Sequence, residues 1–270
     1  MNDGIDPGEV IRRLPEWQGA RWAELPGGLT NRVWLLHKDG RRAVLKIDDE
    51  PRAAYLNSRA EEASVQSAAA SAGLANRVLF ADEKVYLTDY VDGSEWVPAC
   101  LDQAGRVEQL AASLRRLHSL PRTGRSFDAV GAARHYAANL VNPDEELVSM
   151  CLGIIRDARL PNYLCCCHND LVAENIITTQ GIKFIDWEYA CDNDPMFDLA
   201  TIVVHHELSD DRATALLSAY FDGSGERWHS RLAEQRRLYL ALYYLWSASR
   251  PASSEKALRQ LADRLVTSCS

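Results

Sequence analysis

The sequence predicts an α+β protein with a small β-rich N-terminal lobe and a larger, mainly helical C-terminal lobe. Three observations favour this. Segments of strand type run from Trp22 to Tyr90, whereas after Asp92 the apolar residues recur at helical spacing. A short β-rich segment at 164–187 interrupts the helical half. We therefore expect an N-terminal lobe over residues 1–91, a hinge near 88–93 and a C-terminal lobe over 92–270.

The composition is that of an ordinary globular protein and restricts its partners. The 270 residues are 47% hydrophobic and 25% charged, with 30 Lys and Arg against 38 Asp and Glu, a net charge of −8. An acidic chain repels a phosphate backbone, so we expect no nucleic-acid partner. An acidic cleft suits a cationic small molecule. The sequence does not predict an oligomeric state.

The sequence shows no targeting signal, and its cysteine usage is typical of a reducing compartment. We therefore expect a cytoplasmic protein without membrane insertion. The N-terminal residues have no basic and apolar regions of a signal peptide, and no stretch approaches the roughly 20 apolar residues that span a bilayer. Consecutive side chains in a strand alternate between its faces, so Cys165, Cys166 and Cys167 predict a poor chelate or disulfide frame. We expect buried, reduced cysteines.

The predicted N-terminal lobe contains a hairpin, a helix and two further strands. Strands at 32–37 and 42–47 flank Asp39-Gly40, a strong turn signal. An alanine-rich helix from Ser58 to Ala72 ends at Gly73. The further strands are predicted at 77–80 and 84–87.

The predicted C-terminal lobe is built from amphipathic helices. Apolar residues from Val107 to Leu117 form one helix face that ends before Pro121. Asn142-Pro143-Asp144 starts another helix. Two more helices are predicted at 210–220 and 227–249.

The sharpest chemical signal is a pair of motifs in the β-rich segment. His168-Asn169-Asp170 is followed by Asn175, and an apolar strand then ends in Asp186. Phosphoryl transfer requires an oriented hydroxyl and Mg²⁺ on the phosphates. An Asp and an Asn five residues apart can serve the nucleophile and the metal, and a second Asp supplies another oxygen ligand. The spacing H-x-D-x4-N, then a strand-end Asp, is that of a kinase catalytic loop.

Two upstream features fit the same chemistry. The loop 25–31 lies between predicted strands, where its backbone N–H groups can face phosphates; it is not a G-x-x-x-x-G-K-[ST] loop. Lys46 ends a strand, as a phosphate-contacting lysine does in a β-rich nucleotide-binding lobe. Glu62 and Glu61, on the next helix, both qualify as its ion-pair partner.

These blocks resemble those of the aminoglycoside phosphotransferase and choline kinase group, bilobal small-molecule kinases with a protein-kinase-like fold. The resemblance runs from about residue 20 to about residue 250. The matching blocks are Gly27-Gly28-Leu29-Thr30-Asn31, Leu114-Arg115-Arg116-Leu117-His118, His168-Asn169-Asp170 through Asn175, and Ile185-Asp186-Trp187-Glu188-Tyr189.

The resemblance implies an ATP- and Mg²⁺-dependent kinase and assigns expected roles to residues. Asp170 is the expected catalytic base, and Asn175 and Asp186 are the expected Mg²⁺ ligands. Lys46 is expected to hold the ATP phosphates, with Glu62 as its partner. The expected nucleotide contacts also include Gly28, Thr30 and Asn31 in the loop and Asp89 and Val91 in the hinge. Asp198 matches an aspartate of the family whose expected role is structural rather than catalytic.

The expected substrate is a small cationic alcohol. Trp187 and Glu188 belong to a run similar to that of the choline/ethanolamine kinase branch. Tyr239, Tyr243 and Trp246 form one stripe of a late helix, and aromatic rings stabilise a quaternary ammonium. A stripe of this kind is more often part of a helix core than of a ligand site, so both interpretations stay open.

The predicted function is transfer of the ATP γ-phosphate to the hydroxyl of choline or ethanolamine. Thiamine and aminoglycoside phosphorylation are alternatives on the same fold. An alternative of another class is a nucleotide-binding pseudokinase without turnover. The complete set of Lys46, Asp170, Asn175 and Asp186 argues against that alternative, because pseudokinases usually lack at least one such residue.

Overall fold

A computed structural model of the chain describes residues 5–25, 32–48, 51–140, 143–159, 161, 163–251 and 253–269. The helices are α1 Pro7–Arg13, α2 Arg59–Ser71, α3 Arg106–His118, α4 Ala129–Ala137, α5 Glu145–Arg156, α6 Pro195–His205, α7 Asp210–Phe221, α8 His229–Ala248 and α9 Glu255–Cys269. The strands are β1 Arg21–Glu24, β2 Arg32–Lys38, β3 Arg41–Ile47, β4 Val78–Ala81, β5 Val85–Asp89, β6 Ser94–Glu95, β7 Cys165–Cys167, β8 Ile176–Thr178, β9 Ile182–Phe184 and β10 Cys191–Asn193.

The chain divides into two compact units. The first comprises residues 1–95 and 177–190, and the second comprises 96–176 and 191–270. The segment 177–190 thus belongs to the first unit, whereas the sequence analysis assigns it to the C-terminal lobe. The lobe boundaries remain a prediction.

The first unit is built on a five-stranded antiparallel sheet of order β1-β2-β3-β5-β4. The predicted hairpin is confirmed: β2 and β3 pair through their whole length, from Arg32 with Ile47 to Lys38 with Arg41. The turn residues Asp39 and Gly40 have φ of 48° and 75°, the positive values that a two-residue hairpin turn requires. One face of the sheet forms the core with α1.

Helix α2 begins and ends where the sequence predicts. Ser58 is its N-cap, and the Ser58 and Glu61 side chains bond each other's backbone N–H in a capping box. Gly73, with φ 74°, follows the C-cap residue Ala72. The helix therefore holds its inward side chains, among them Glu62, at fixed positions beside the sheet.

The second unit is mainly helical and contains the antiparallel pair β7 and β10. Helices α3, α5, α7 and α8 confirm the predicted helical segments, with Asp144 as the α5 N-cap. Helices α4 and α9 lie outside those segments, as α1 does in the first unit. Among the described residues no helix is both long and apolar enough to cross a membrane.

Candidate active site

The first unit holds a lysine paired with a strand-end aspartate. Lys46 lies near the end of β3, and its Nζ is 2.8 Å from Oδ1 of Asp186, just after β9. Burial alone lowers the pKa of Lys46, but the carboxylates of Asp186, Glu62 and Glu188 outweigh burial and raise it. Lys46 is therefore a permanent cation in a mainly anionic setting.

The backbone fixes Asp186 in an unusual conformation. Its φ is 65°, a left-handed value that non-glycine residues seldom adopt. The preceding strand is bonded to the segment that follows α2, because the Phe184 N–H donates to the Leu74 carbonyl at 2.7 Å and Lys183 Nζ donates to the Ala75 carbonyl at 2.9 Å. Strain of this kind persists where the surroundings impose it, often at functional sites.

Two arginines that the sequence analysis does not single out connect the carboxylates around Lys46. Arg59 has no exposed side-chain area, and it donates to Asp48 at 2.5 and 2.9 Å and to Glu62 at 2.7 Å. Arg52 lies 3.1 Å from Glu188, 3.4 Å from Glu62 and 3.4 Å from Asp48. The i,i+3 spacing of Arg59 and Glu62 on a predicted helix is a sequence signal for this network.

The predicted ion pair between Lys46 and Glu62 is therefore not the one observed. Lys46 pairs with Asp186, and the two arginines take Glu62. Within the described residues, Oε1 of Glu62 is buried without a hydrogen-bond partner. Glu62 thus acts on Lys46 through its charge and keeps one oxygen for a further donor.

Trp187 and Glu188, both predicted substrate residues, are engaged within the first unit. Trp187 has no exposed area, and its Nε1 donates to the Phe184 carbonyl at 3.1 Å. Glu188 is 5% exposed, and its Oε2 accepts a hydrogen bond from Arg52. This packing favours a structural role for Trp187 and an ion-pair role for Glu188 over contact with a substrate cation.

Burial raises the pKa of Glu188 to about 7, and the neighbouring charge of Asp186 adds to the effect. Lys46 and Arg52 oppose it. Glu188 is thus a carboxyl group whose charge changes near neutral pH.

The predicted nucleotide contacts fall into two groups. Gly28, Thr30 and Asn31 lie outside the described residues. Asp89 ends β5, where its N–H donates to the Arg77 carbonyl at 3.0 Å and its carboxylate pairs with Arg77 at 2.8 Å. Val91 follows two residues later, half-buried, so its backbone is the better candidate of the two for adenine.

In the second unit, the residues of the H-x-D-x4-N motif contact one another. Nδ2 of Asn175 donates to Oδ2 of Asp170 at 2.8 Å and to its carbonyl at 2.9 Å. These bonds orient the Asp170 carboxylate and leave the amide oxygen of Asn175 as the atom suited to Mg²⁺. Asp170 is half-buried, whereas Asn175 is 8% exposed.

A buried aspartate on α6 anchors the start of this loop. Asp198 has no exposed area, and it accepts hydrogen bonds from the N–H groups of His168 at 2.9 Å and Asn169 at 2.7 Å. Its Oδ2 also lies 3.0 Å from Nε2 of His118. Asn169 has φ 65°, so these bonds hold a strained turn directly before Asp170. These hydrogen bonds agree with the structural role expected for Asp198.

The predicted aromatic stripe of α8 is a continuous stack. Ring centroids lie 5.7 Å apart between Tyr239 and Tyr243 and 6.0 Å apart between Tyr243 and Trp246. Burial, then the charge of Asp170, raises the pKa of Tyr239, so this end of the stack lies within electrostatic reach of the motif loop. The guanidinium of Arg250 lies 5.0 Å from the Trp246 ring centroid, which shows that this ring already binds a cation by its face.

A lysine–aspartate pair beside a β-sheet, together with an Asp–Asn loop in a helical unit, defines a phosphotransferase of protein-kinase-like fold. The chain belongs to the phosphotransferase enzyme family, whose model matches residues 21–239.

Curated relatives and solved structures agree with this family. The chain is 31% identical over 241 residues to protein LicA of Haemophilus influenzae, covering 82% of this chain and 71% of LicA. It is 27% identical over 213 residues to a thiamine kinase of Salmonella paratyphi B, covering 76% and 74% of the two chains.

Two solved structures have the same fold along almost the whole chain. A choline/ethanolamine kinase family protein from Mesorhizobium loti superposes with a TM-score of 0.72 at 26% identity, covering 97% of this chain and 92% of its own. The choline kinase LicA from Streptococcus pneumoniae superposes with a TM-score of 0.78 at 21% identity, covering 96% and 97%. The relatives and structures together support a small-molecule kinase.

Proposed function

We propose that the protein transfers the γ-phosphate of ATP to the hydroxyl of a small cationic alcohol, with choline the first candidate and ethanolamine the next. The observation that carries the proposal is the pair of hydrogen bonds from Asn175 to Asp170. They fix a carboxylate that accepts a hydroxyl proton beside an amide oxygen that binds Mg²⁺.

Four residues have proposed roles in this reaction. Lys46 binds ATP phosphate oxygens, and Asp186 and Asn175 supply oxygen ligands to Mg²⁺, a hard cation that prefers them. Bound Mg²⁺ neutralises charge on the phosphates. Asp170 orients the substrate hydroxyl and accepts its proton as the oxygen attacks phosphorus.

The nature of the substrate rests on charge and aromatic surface. A trimethylammonium group has no N–H donor, so ring faces and nearby carboxylates replace its hydration. Tyr243 and Trp246 are half-buried on α8, and the charges of Glu174 and Asp170 contribute to the raised pKa of Tyr243 after burial. An acidic, aromatic surface of this kind suits a quaternary ammonium.

Thiamine is the second candidate, because curated thiamine kinases are among the relatives. Its thiazolium ring is also a cation that carries a hydroxyethyl arm, so the same rings and carboxylates serve it. The two candidates differ in size and in the flat aromatic surface of the thiazolium.

A substrate panel tests the proposal. Purified protein with Mg²⁺ and ATP is offered choline, ethanolamine, thiamine or an aminoglycoside, and ADP release is measured. We expect the highest kcat/KM with choline. Asp170→Asn should lower the rate of ADP release on the order of 10²-fold or more. Asp211→Asn, at an exposed position of α7, should retain the wild-type rate. Faster turnover of thiamine than of choline would make thiamine the proposed substrate. ATP binding without turnover of any alcohol would favour a pseudokinase.

A further inference from the structure

Two of the three consecutive cysteines lie together. Cys165 and Cys167 occupy alternate positions of β7, so their side chains point to the same face, and their Sγ atoms are 3.6 Å apart. Both are buried, and both lie within 3.8 Å of the Asn193 carbonyl. The expected alternation of faces removes only Cys166 from the group. The expectation of a poor chelate rests on side chains at opposite faces, a condition that the outer pair does not meet.

A histidine completes a set of three metal-binding side chains. The Sγ atoms of Cys165 and Cys167 and one ring nitrogen of His118 all lie within 4.8 Å of one another. Among the described residues, this is the group of His, Cys, Asp and Glu side chains that meets such a distance. His118 comes from α3, so the set joins two separate elements of the second unit.

The sulfur spacing fits a tetrahedral metal. A zinc–thiolate bond is about 2.3 Å long, so two thiolates of a tetrahedral site lie about 3.8 Å apart. The observed 3.6 Å requires a movement of a few tenths of an ångström. Two sulfurs and an imidazole are ligands that favour Zn²⁺ and Cd²⁺ over Mg²⁺.

His118 has the hydrogen-bond partners that typically orient a metal-binding imidazole. Nε2 lies 3.0 Å from the Asp198 carboxylate, and Nδ1 lies 2.7 Å from the Tyr220 hydroxyl. A metal-bound histidine usually donates its second N–H to a carboxylate, the position that Asp198 holds. Nδ1 is then the ligand atom, and the metal replaces the hydrogen bond to Tyr220.

A cavity of about 470 Å³ leads to this cluster. His118 and Cys165 contribute to its lining, together with the partly exposed side chains of Arg122 and Tyr163. A hydrated metal ion is small compared with this volume. The cavity therefore reaches two of the three side chains of the cluster, His118 and Cys165.

We propose that Cys165, Cys167 and His118 form a binding site for a thiophilic divalent cation of the Zn²⁺ or Cd²⁺ class, distinct from the Mg²⁺ of the proposed reaction. Binding forms two metal–thiolate bonds and one metal–imidazole bond and releases the two thiol protons to solvent, without a change of oxidation state. Burial raises the pKa of Cys167 well above its ordinary value, so this thiol is protonated before the metal binds.

The test is a titration of the reduced, chelator-treated full chain with Cd²⁺, followed by the ultraviolet charge-transfer band of Cd–thiolate bonds. We expect the band to saturate at one equivalent. Cys165→Ser and Cys167→Ser should each weaken binding at least tenfold. Cys166→Ser, the neighbour on the opposite face, should bind as the wild type does, and Tyr220→Phe should not weaken binding.

A second measurement needs no variant. X-ray absorption of the wild-type zinc complex should give two sulfur ligands and at least one nitrogen ligand. A wild type without the band, a band that persists in the Cys165→Ser, Cys167→Ser double variant, or a zinc complex without two sulfur ligands would each overturn the proposal. Because no nucleotide or alcohol is present, the result does not depend on the proposed kinase reaction.

Discussion

Lys46 Nζ and Asp186 Oδ1 lie 2.8 Å apart, so the cation proposed to bind ATP phosphates and the anion proposed to bind Mg²⁺ neutralise each other. Bound Mg²⁺·ATP would give Lys46 a phosphate partner and Asp186 a cation partner. The proposed binding would therefore exchange one ion pair for two interactions between opposite charges. The pair keeps both side chains in place and limits the charge that is left unpaired in a partly buried site.

The first prediction concerns the metal ligands. Asp186→Ala should reduce kcat/KM more than Asn175→Ala, because a carboxylate binds a hard cation more strongly than an amide oxygen does. Raising Mg²⁺ should partly rescue Asn175→Ala, as measured by initial rates across a Mg²⁺ titration. Normal turnover of Asp186→Ala at low Mg²⁺ would contradict the assignment.

The second prediction concerns the base. Asp170→Asn keeps the shape of the side chain but removes the charge that orients the hydroxyl and accepts its proton. We expect kcat to fall on the order of 10²-fold or more, with ATP affinity little changed. Turnover and nucleotide titration of the same preparation separate the two effects. A variant with nearly normal kcat would reject Asp170 as the base.

The third prediction concerns Arg52, whose side chain is 11% exposed and lies beside Asp48, Glu62 and Glu188. Arg52→Gln removes one of the two guanidinium groups that balance the buried carboxylates. Arg59 still pairs with Asp48 and Glu62, so the arginine partner that is lost outright is that of Glu188. Breaking a buried pair costs roughly 3–5 kcal/mol. Denaturant unfolding should show the loss. Arg259→Gln is the matched control, because its pair with Glu255 is exposed and should contribute little. Equal effects of the two substitutions would contradict the network.

The fourth prediction is a pH dependence of stability at Glu188. Burial, followed by Asp186, raises its pKa to about 7, above the ordinary value of 4.5, although Lys46 and Arg52 oppose the shift. Between these two values the folded state holds the proton more tightly than the unfolded state. Ionisation of Glu188 therefore costs stability as the pH rises through this window.

Glu188→Gln removes that cost. Relative to the wild type, the free energy of unfolding of the variant should improve from about pH 4.5 to about pH 7, the window between the ordinary and the raised pKa, and level off above it. Chemical denaturation at several pH values measures the difference. Glu255→Gln, at an exposed position of α9, should show no such trend. A constant difference between Glu188→Gln and the wild type would show that Glu188 does not titrate in this range.

Local signals in the sequence predict much of the fold. The Asp39-Gly40 turn, the Ser58 cap and the Gly73 end of α2 each depend on residues within a few positions of one another, and each is observed. The motif from His168 to Asn175 is compact for the same reason. Its spacing alone brings Asn175 to Asp170.

Long-range pairing is what the sequence does not predict. Arg52 and Glu188 are 136 positions apart, so no periodicity relates them. The choice of Asp186 over Glu62 as partner of Lys46 depends on how β9 lies against the end of α2, which only the folded chain defines. The pairing of the outer cysteines follows from strand geometry, but the contribution of His118 requires the packing of α3 beside β7.

The fifth prediction concerns substrate choice. The Trp246 ring already carries the Arg250 guanidinium at 5.0 Å, so its face is suited to a cation. A desolvated cation–π contact contributes about 2 kcal/mol, and tenfold in affinity corresponds to about 1.4 kcal/mol. Trp246→Ala should therefore raise the KM for choline roughly ten- to thirtyfold while the KM for ATP changes little.

Two further variants separate cation binding from packing. Trp246→Leu keeps apolar bulk but loses the ring face, so its KM for choline should rise as in Trp246→Ala while its thermal stability stays closer to the wild type. Trp22→Leu, at a 47% exposed position of β1, is the control and should leave the KM for choline unchanged. If both Trp246 variants lose stability and neither changes the KM for choline, the stack on α8 is core, and the cation binds elsewhere.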